Sequence, residues 1–318
     1  MAVKVLVVTN LFPTERKPQW GTFVKEQVDS LCSAFPDELQ IDVYLVDGSL
    51  SKVSYVKALF ELPKVVKSGK YDVVHVHYGL TLLALLLVKA PIVATFHGSD
   101  LLRQPVGFLS RILAKKADRV IVVSENLRSA LGYGAIIPCG IVADRFLLPQ
   151  KWKYDNPSGE LRVLFPANST VPVKNYPLFA EVCRALTSRG YKVREVHLSG
   201  VPREQVPQVF WDSDVMLLTS HSEGSPTVIK EAIAAKLPFV SVDVGDARSW
   251  ASKIDFGAVT ESREPSHIAD LVSQLLNKIH DRSALVNTHL LDQLDSRSIA
   301  CRIKAIYSEL SPPSLRRP

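Results

Sequence analysis

The sequence predicts an α/β protein built as two doubly wound domains. Its 318 residues are enough for about two domains at roughly 150 residues each. Short β-branched runs alternate with helix-length amphipathic segments from end to end. The runs are apolar along their whole length rather than at every second residue, as parallel strands covered by helices on both faces require.

In the first half, strands are expected at Val3–Val8, Ile41–Leu45, Val73–Val76, Ile92–Phe96, Val120–Val123 and Ala135–Pro138. Helices are expected between them at Thr22–Ala34, Val53–Ser68, Leu80–Lys89, Gly107–Lys116 and Asn126–Leu131. Residues 148–160 are rich in Pro, Gly and polar side chains and read as a linker. Beyond it the alternation resumes, with strands at Leu161–Phe165, Val193–Leu198, Val215–Leu218, Phe239–Val242 and Ala258–Val259. The matching helices are Tyr176–Ser188, Val206–Trp211, Pro226–Ala235, Pro265–Lys278 and Asp281–Leu291, with a last one at Ser298–Leu310. The expected plan is therefore a first domain over 1–147, the linker 148–160, a second domain over 161–297, and a C-terminal helix and tail over 298–318. Such a pair predicts a crevice lined by the carboxyl ends of the strands, where ligands bind in open α/β sheets.

Apolar residues at 47% and charged residues at 22% exclude a disordered, collagenous or coiled-coil chain. The net charge of +6 leans toward the first half, with 17 basic and 13 acidic residues up to Gln150 against 21 and 19 after it. So mild an excess suits an anionic small ligand or a membrane surface better than a nucleic-acid groove. Cys32, Cys139, Cys183 and Cys301 form no CxxC pair, so neither a zinc site nor a disulfide framework is expected. The start, Met1-Ala2-Val3-Lys4, lacks signal-peptide architecture, and a cytoplasmic protein is the expectation. The most apolar stretch, Tyr78 to Phe96, is interrupted by Lys89 and Pro91 and falls short of ~18 continuous apolar residues.

The loops after the strands carry the chemistry. The first, Asn10 to Thr22, contains no GxGxxG, which argues against a nicotinamide enzyme. Its one glycine, Gly21, stands at a helix start, where backbone amides can approach a phosphate. His75 and His77 alternate on one strand face without a third metal ligand nearby, and read as hydrogen-bonded strand-end histidines. Thr95-Phe96-His97-Gly98-Ser99-Asp100 places an imidazole and a carboxylate at a sheet edge. In the second half, Ser169, Thr170 and Lys174 can surround a diphosphate. Glu223 and Glu231 bracket a strand-to-helix switch through Gly224, Ser225, Pro226 and Thr227. Eight residues place them roughly 12 Å apart along a helix, a separation suited to the two ends of an elongated ligand.

Ser222-Glu-Gly-Ser-Pro-Thr-Val-Ile-Lys-Glu-Ala resembles the E-x7-E motif of retaining glycosyltransferases, family 4 in particular. Asp214–Ser220, Leu237–Gly245 and the Thr95–Asp100 loop are similar to segments of the same family, so the likeness spans nearly the whole chain. It implies the GT-B fold, two Rossmann-like domains facing a central cleft, with the last helix returning toward the first domain. It also implies metal-independent retaining transfer from a UDP- or GDP-sugar to a glycan or lipid-linked acceptor, in polysaccharide or glycoconjugate synthesis, without a resident cofactor. The resemblance assigns Glu231 to the nucleotide ribose, Glu223 and the amides after it to the donor sugar, Lys174 to the diphosphate and His97 to the transferred sugar. Gly21, Thr22, Asn168, Ser169, Val201, Gly224, Ser225, Pro226 and Thr227 complete the expected donor set, with Ser99 and Asp100 on the acceptor side.

The chain departs from the family pattern at Ser169, where an arginine is usual, and at Cys139 and Val142, where Asn and Asp are usual. Membrane contact through Lys57–Lys70 and Phe108–Lys116 is a further expectation, with basic groups set beside apolar ones. A nucleotide-sugar epimerase of the same architecture and a non-catalytic sugar-binding module are the alternatives.

Overall fold

The computed structural model describes residues 2–17, 20–46, 53–149, 156–279, 281–285 and 287–311. Residues 150–155 of the expected linker and the basic tail Leu315–Pro318 lie outside them. The chain divides into two compact units, Met1–Gly140 with Ser296–Pro318, and Ile141–Asp295.

Among the described residues unit one holds six strands: β1 (Val3–Thr9), β2 (Leu39–Leu45), β3 (Val73–His77), β4 (Ile92–Phe96), β5 (Arg119–Val122) and β6 (Ala135–Ile136). They form one sheet in the order β2-β1-β3-β4-β5-β6, every neighbour parallel. The helices are α1 (Thr22–Ala34), α2 (Val53–Gly69), α3 (Ser99–Leu102), α4 (Val106–Ala114) and α5 (Glu125–Leu131). β3 and β4 are buried at every position, which is why both read as unbroken apolar runs.

Unit two repeats the plan with β7 (Leu161–Phe165), β8 (Val193–His197), β9 (Val215–Leu218), β10 (Phe239–Val242) and β11 (Gly257–Thr260), in the order β11-β10-β9-β7-β8. Its helices are α6 (Tyr176–Ser188), α7 (Val206–Asp212), α8 (Thr227–Ala234), α9 (Ala247–Ala251), α10 (Pro265–Lys278) and α11 (Thr288–Leu294). In both units the strand order reverses between the first and third strands, at β1/β3 and at β7/β9. Crevices form outside the carboxyl ends of a sheet at such a point.

Three local differences from the expected elements have physical causes. The expected helix Leu80–Lys89 is a 3-10 turn over Gly79–Leu85. A Cβ at Gly79 would stand 2.4 Å from the Ser110 hydroxyl and 2.7 Å from the Phe96 ring, so the turn is wedged among buried neighbours. The expected helix Asp281–Leu291 divides into a 3-10 turn at Arg282–Ala284 and α11. There the buried Arg282 guanidinium donates to the carbonyls of Phe210, Trp211, Ser213, Ala235 and Lys236, and the Asn287 amide donates to those of Ile233 and Ala234. These carbonyls lie at and just beyond the ends of α7 and α8, where intrahelical donors run out. The segment is thus a cap on two other helices.

The third difference is the domain boundary, which falls at Gly140/Ile141 rather than after residue 147. Ile141, Ala143 and Phe146 are buried in the core of unit two. Backbone N–H groups of Ile141 and Ala143 donate to the Leu294 carbonyl and the Asp295 carboxylate. The last helix, α12 (Ser296–Leu310), belongs to unit one, where Ile299, Ala300, Ile303 and Tyr307 share a core with Val3, Val5, Val24 and Val28.

Candidate active site

At the β7/β9 reversal of unit two, two loops are stitched together before any charged group is considered. The Thr219 hydroxyl donates to the carbonyls of Lys174 and Asn175, the His221 amide donates to Val173, and the Asn175 side-chain amide donates back to Thr219. Asn175 takes a left-handed φ of 54° and starts α6, with a proline in its first turn. The Arg263 guanidinium bridges the carbonyls of Thr219, Ser220 and His221. This frame brings Lys174 Nζ to 2.7 Å from Glu223 Oε1, which also accepts from the Ser220 hydroxyl at 2.7 Å. Both side chains keep partial access to solvent. A carboxylate and an ammonium therefore meet at the loop tip, beside the first turn of α8.

Beneath the tip lies a network that the motif reading did not identify. Lys230 is 0% exposed, and its ammonium donates to the Ser225 hydroxyl at 2.6 Å and the Asp246 carboxylate at 3.1 Å. Asp246 Oδ2 also accepts from Ser225 Oγ and the Trp250 indole, while Oδ1 is buried without a partner. The Ser225 side chain is thus turned into the protein. Gly245 has φ +59°, and a Cβ there would stand 2.7 Å from the Gly224 carbonyl, so glycine allows the two loops to touch. The periodicity of α8 signals a buried face but gives no hint that one buried position is a charged lysine.

Glu231, 2% exposed on α8, pairs through Oε1 with Arg203 at 2.7 Å. Arg203 lies over the Phe146 ring at 5.4 Å, and Phe146 in turn accepts at its carbonyl from the Trp211 indole. Sequence reasoning missed Arg203 because a lone arginine after a Pro carries no motif. Val201 follows Gly200 (φ +77°), and its amide closes a turn onto Leu198. Asn168 Oδ1 accepts from both the amide and the hydroxyl of Thr170 at 2.9 Å, forming an Asx-type turn with Ser169 exposed between them. Pro226 stands at the cap of α8, and Thr227 opens the helix.

In unit one, Gly21 caps α1 with φ +69°, and a Cβ would lie 2.2 Å from the Leu11 carbonyl carbon, so only glycine fits beneath that loop. Thr22 is the first helical residue. His97 Nε2 is 2.9 Å from His77 Nδ1, the two rings stack, and His97 Nδ1 is 3.9 Å from Cys139 Sγ. His75 bonds Tyr307 Oη and the Thr95 hydroxyl. The expectation of fully hydrogen-bonded strand histidines holds for His75, whereas His77 Nε2 is buried without a partner. Desolvation holds His75 and His97 down at about 3 and lowers His77 as well, so the cluster is uncharged at neutral pH. Ser99 is exposed, whereas Asp100 is buried. Its fully buried carboxylate accepts from the amides of Gly79, His97 and Gly98, and burial pushes it up to about 6. Asp100 braces the His97 loop from inside. Among the described residues no three His, Cys, Asp or Glu side chains are grouped as a metal site, and no helix is long and apolar enough to cross a membrane.

Two family profiles cover most of the chain: "Glycosyltransferase Family 4" over residues 22–145 and "Glycosyl transferases group 1" over residues 177–288. The chain belongs to glycosyltransferase family 4. Relatives of this family 4 glycosyltransferase include TuaC of Bacillus subtilis, named for glycosyl transfer in teichuronic acid biosynthesis, at 22% identity over 79% of this chain and 84% of that one. Another is a phosphatidyl-myo-inositol mannosyltransferase of Propionibacterium freudenreichii, at 26% identity over 62% of this chain and 59% of that one. Among solved structures, a sucrose-phosphate synthase of Thermosynechococcus elongatus superposes with a TM-score of 0.73 at 14% identity, covering 97% of this chain and 99% of that chain. HepE of Anabaena, solved with UDP, superposes at 0.68 with 15% identity over 96% of this chain and 100% of that one. At these identities the structures speak to the fold, which is GT-B.

Proposed function

We propose that this glycosyltransferase moves a sugar, with retention, from a UDP- or GDP-sugar held by unit two to a glycan or lipid-linked acceptor in cell-surface polysaccharide synthesis. The observation that carries the donor side is the Lys174–Glu223 pair at the β7/β9 reversal, beside the start of α8. A diphosphate entering there exchanges the Glu223 carboxylate for its own oxygens around Lys174. Glu223 is then free to accept from sugar hydroxyls. Glu231 is held by Arg203 in a buried, ready geometry, and ribose hydroxyls can share its carboxylate. TuaC and HepE, one named for a cell-wall polymer and one solved with UDP, support the acceptor and donor classes by kinship and fold respectively.

Departure of a nucleoside diphosphate builds negative charge, and a preorganised ammonium and helix N-terminus stabilise it without rearrangement. In this reading Lys174 and α8 supply that charge and no metal ion is required. The acceptor oxygen bonds to the anomeric carbon on the face the diphosphate leaves. The carbon–oxygen bond to the diphosphate breaks, and the acceptor proton passes to a departing phosphate oxygen.

The test is product analysis with UDP- and GDP-sugars, with and without candidate acceptors and with EDTA present. Acceptor-dependent release of nucleoside diphosphate and an α-configured product from an α-donor are expected. An altered nucleotide sugar formed without acceptor would instead show an epimerase. A sugar trapped covalently on Glu223 would overturn the front-face step.

A further inference from the structure

The hydrogen bonding of the unit-one histidines fixes where their protons sit. His77, 0% exposed, has Nδ1 2.9 Å from His97 Nε2, and the two ring planes are 17° from parallel, so an N–H on one ring meets the lone pair of the other. The second nitrogen of His77, Nε2, is buried without a partner. His75 lies against the same ring, 4.3 Å between centroids, and is itself held by the Tyr307 and Thr95 hydroxyls. The His77 ring is thus clamped by one neighbour and bonded to another. Desolvation keeps all three imidazoles uncharged, and a neutral imidazole carries a single N–H.

Two arrangements fit the bond. With the His97 proton on Nε2, His77 accepts at Nδ1 and its own proton sits on Nε2 as a buried donor with nothing to receive it. With the His77 proton on Nδ1, the unmatched atom is a bare lone pair, and buried acceptors are left unmatched more readily than buried donors. Cys139 does not reverse that balance, because its Sγ is 3.9 Å from His97 Nδ1 and a thiol is weak as donor and as acceptor. We propose that His77 is a positioning residue: by donating from Nδ1 to His97 Nε2 it fixes the His97 proton on Nδ1, so that His97 meets a sugar oxygen as a hydrogen-bond donor and not as a base. The one lone pair of His97 is spent on His77. Its N–H faces only a soft sulfur, a contact that an oxygen displaces readily.

The sugar as ligand rests on the transferase reading above, whereas the proton assignment is measured without any ligand. Full-length protein carrying isotope-labelled histidine is studied by NMR at neutral pH, correlating ring nitrogens with ring protons, and the His97 signals are those missing from His97→Ala. The wild type should show His97 protonated at Nδ1 and bare at Nε2, with His77 also protonated at Nδ1. A His97 proton on Nε2, or exchange between the two forms, would overturn the inference, and this spectrum decides it even where a variant fails to fold. His77→Asn keeps a donor amide near the Nδ1 position and should preserve the His97 form. His77→Gln carries its amide one bond further out and should release it. In acceptor-dependent transfer, kcat/KM should fall about tenfold in His77→Gln, as for a donor form reduced to roughly a tenth of the population, and recover in His77→Asn. Equal losses in the two variants at an unchanged melting temperature would reduce His77 to a packing role and overturn the positioning claim. The expected His97 form in a wild type that transfers no sugar would overturn the transferase reading and leave the proton assignment in place.

Discussion

Glu231 shows why one residue's type cannot be exchanged without consequence. It is buried, charged and neutralised by Arg203, so replacing it with alanine leaves a cation facing an empty pocket. Glu231→Gln keeps the shape and removes the charge. The expected outcome is a folded protein whose affinity for nucleotide falls at least tenfold, read by titration calorimetry. Lys174→Ala should cost more in turnover than in binding, on the order of 10²–10³ in kcat, if its ammonium acts on the departing charge. A change confined to KM would assign it to ground-state binding. Lys230 makes a third case, because its fully buried ammonium is opposed by the Asp246 carboxylate. Breaking such a pair from one side costs about 3–5 kcal/mol, so Lys230→Met should lower the melting temperature by roughly 10 °C. Adding Asp246→Asn should recover part of the loss.

At the scale of elements, Arg282 has the largest structural reach of any single side chain described in unit two. Five carbonyls of the α7 and α8 ends and the turns after them accept from it. Arg282→Ala should destabilise this unit by about 3 kcal/mol or more, since buried carbonyls are left unsatisfied, and denaturant titration would measure it. An effect below 1 kcal/mol would show that water replaces the guanidinium. This segment also shows where the sequence stops being legible. Strands such as Ile92–Phe96 and Leu161–Phe165, and helices such as Thr22–Ala34 and Pro265–Lys278, have the bounds that periodicity predicts, because one face of each meets a core. Residues 281–291 are amphipathic too, but their polar side chains are spent on the ends of other helices, a tertiary role with no local signal. The domain boundary moved for a similar reason: Ile141, Ala143 and Phe146 belong to a core whose remaining members begin at Leu161. In the site, Glu223 and Glu231 were legible by their spacing and Lys174 by its place in the loop after β7. Arg203, Lys230, Asp246 and Arg263 were not, because each acts through a partner distant in sequence.

Over the whole molecule, the two units reach similar topologies and differ in what they bury. Unit one holds three uncharged histidines, His75 and His77 buried and His97 half-buried, and the unfolded chain would protonate them below their ordinary value of 6.5. Stability from this source is present above pH 6.5 and is lost as pH falls toward about 3. Asp100 acts in the opposite sense. Raised from 3.8 to about 6, it holds a proton the unfolded chain has released, so its contribution grows as pH falls through 6. Three histidines against one carboxyl leave a net loss of roughly 3 kcal/mol per pH unit near pH 5. Urea unfolding between pH 7 and 4.5 should show the loss, and His75→Gln should reduce the slope by about half. A flat profile would mean that the cluster protonates in place.

On the proposed reading, unit two holds a nucleoside diphosphate sugar between Lys174, Glu223 and Glu231. Thermal unfolding with UDP, GDP and ADP, alone and as their sugars, tests it most directly. A ligand at about a hundred times its dissociation constant should add about 2.7 kcal/mol. The expected result is a rise in melting temperature with UDP or GDP that disappears in Glu231→Gln. No rise with any nucleotide, or a rise undiminished in that variant, would contradict it.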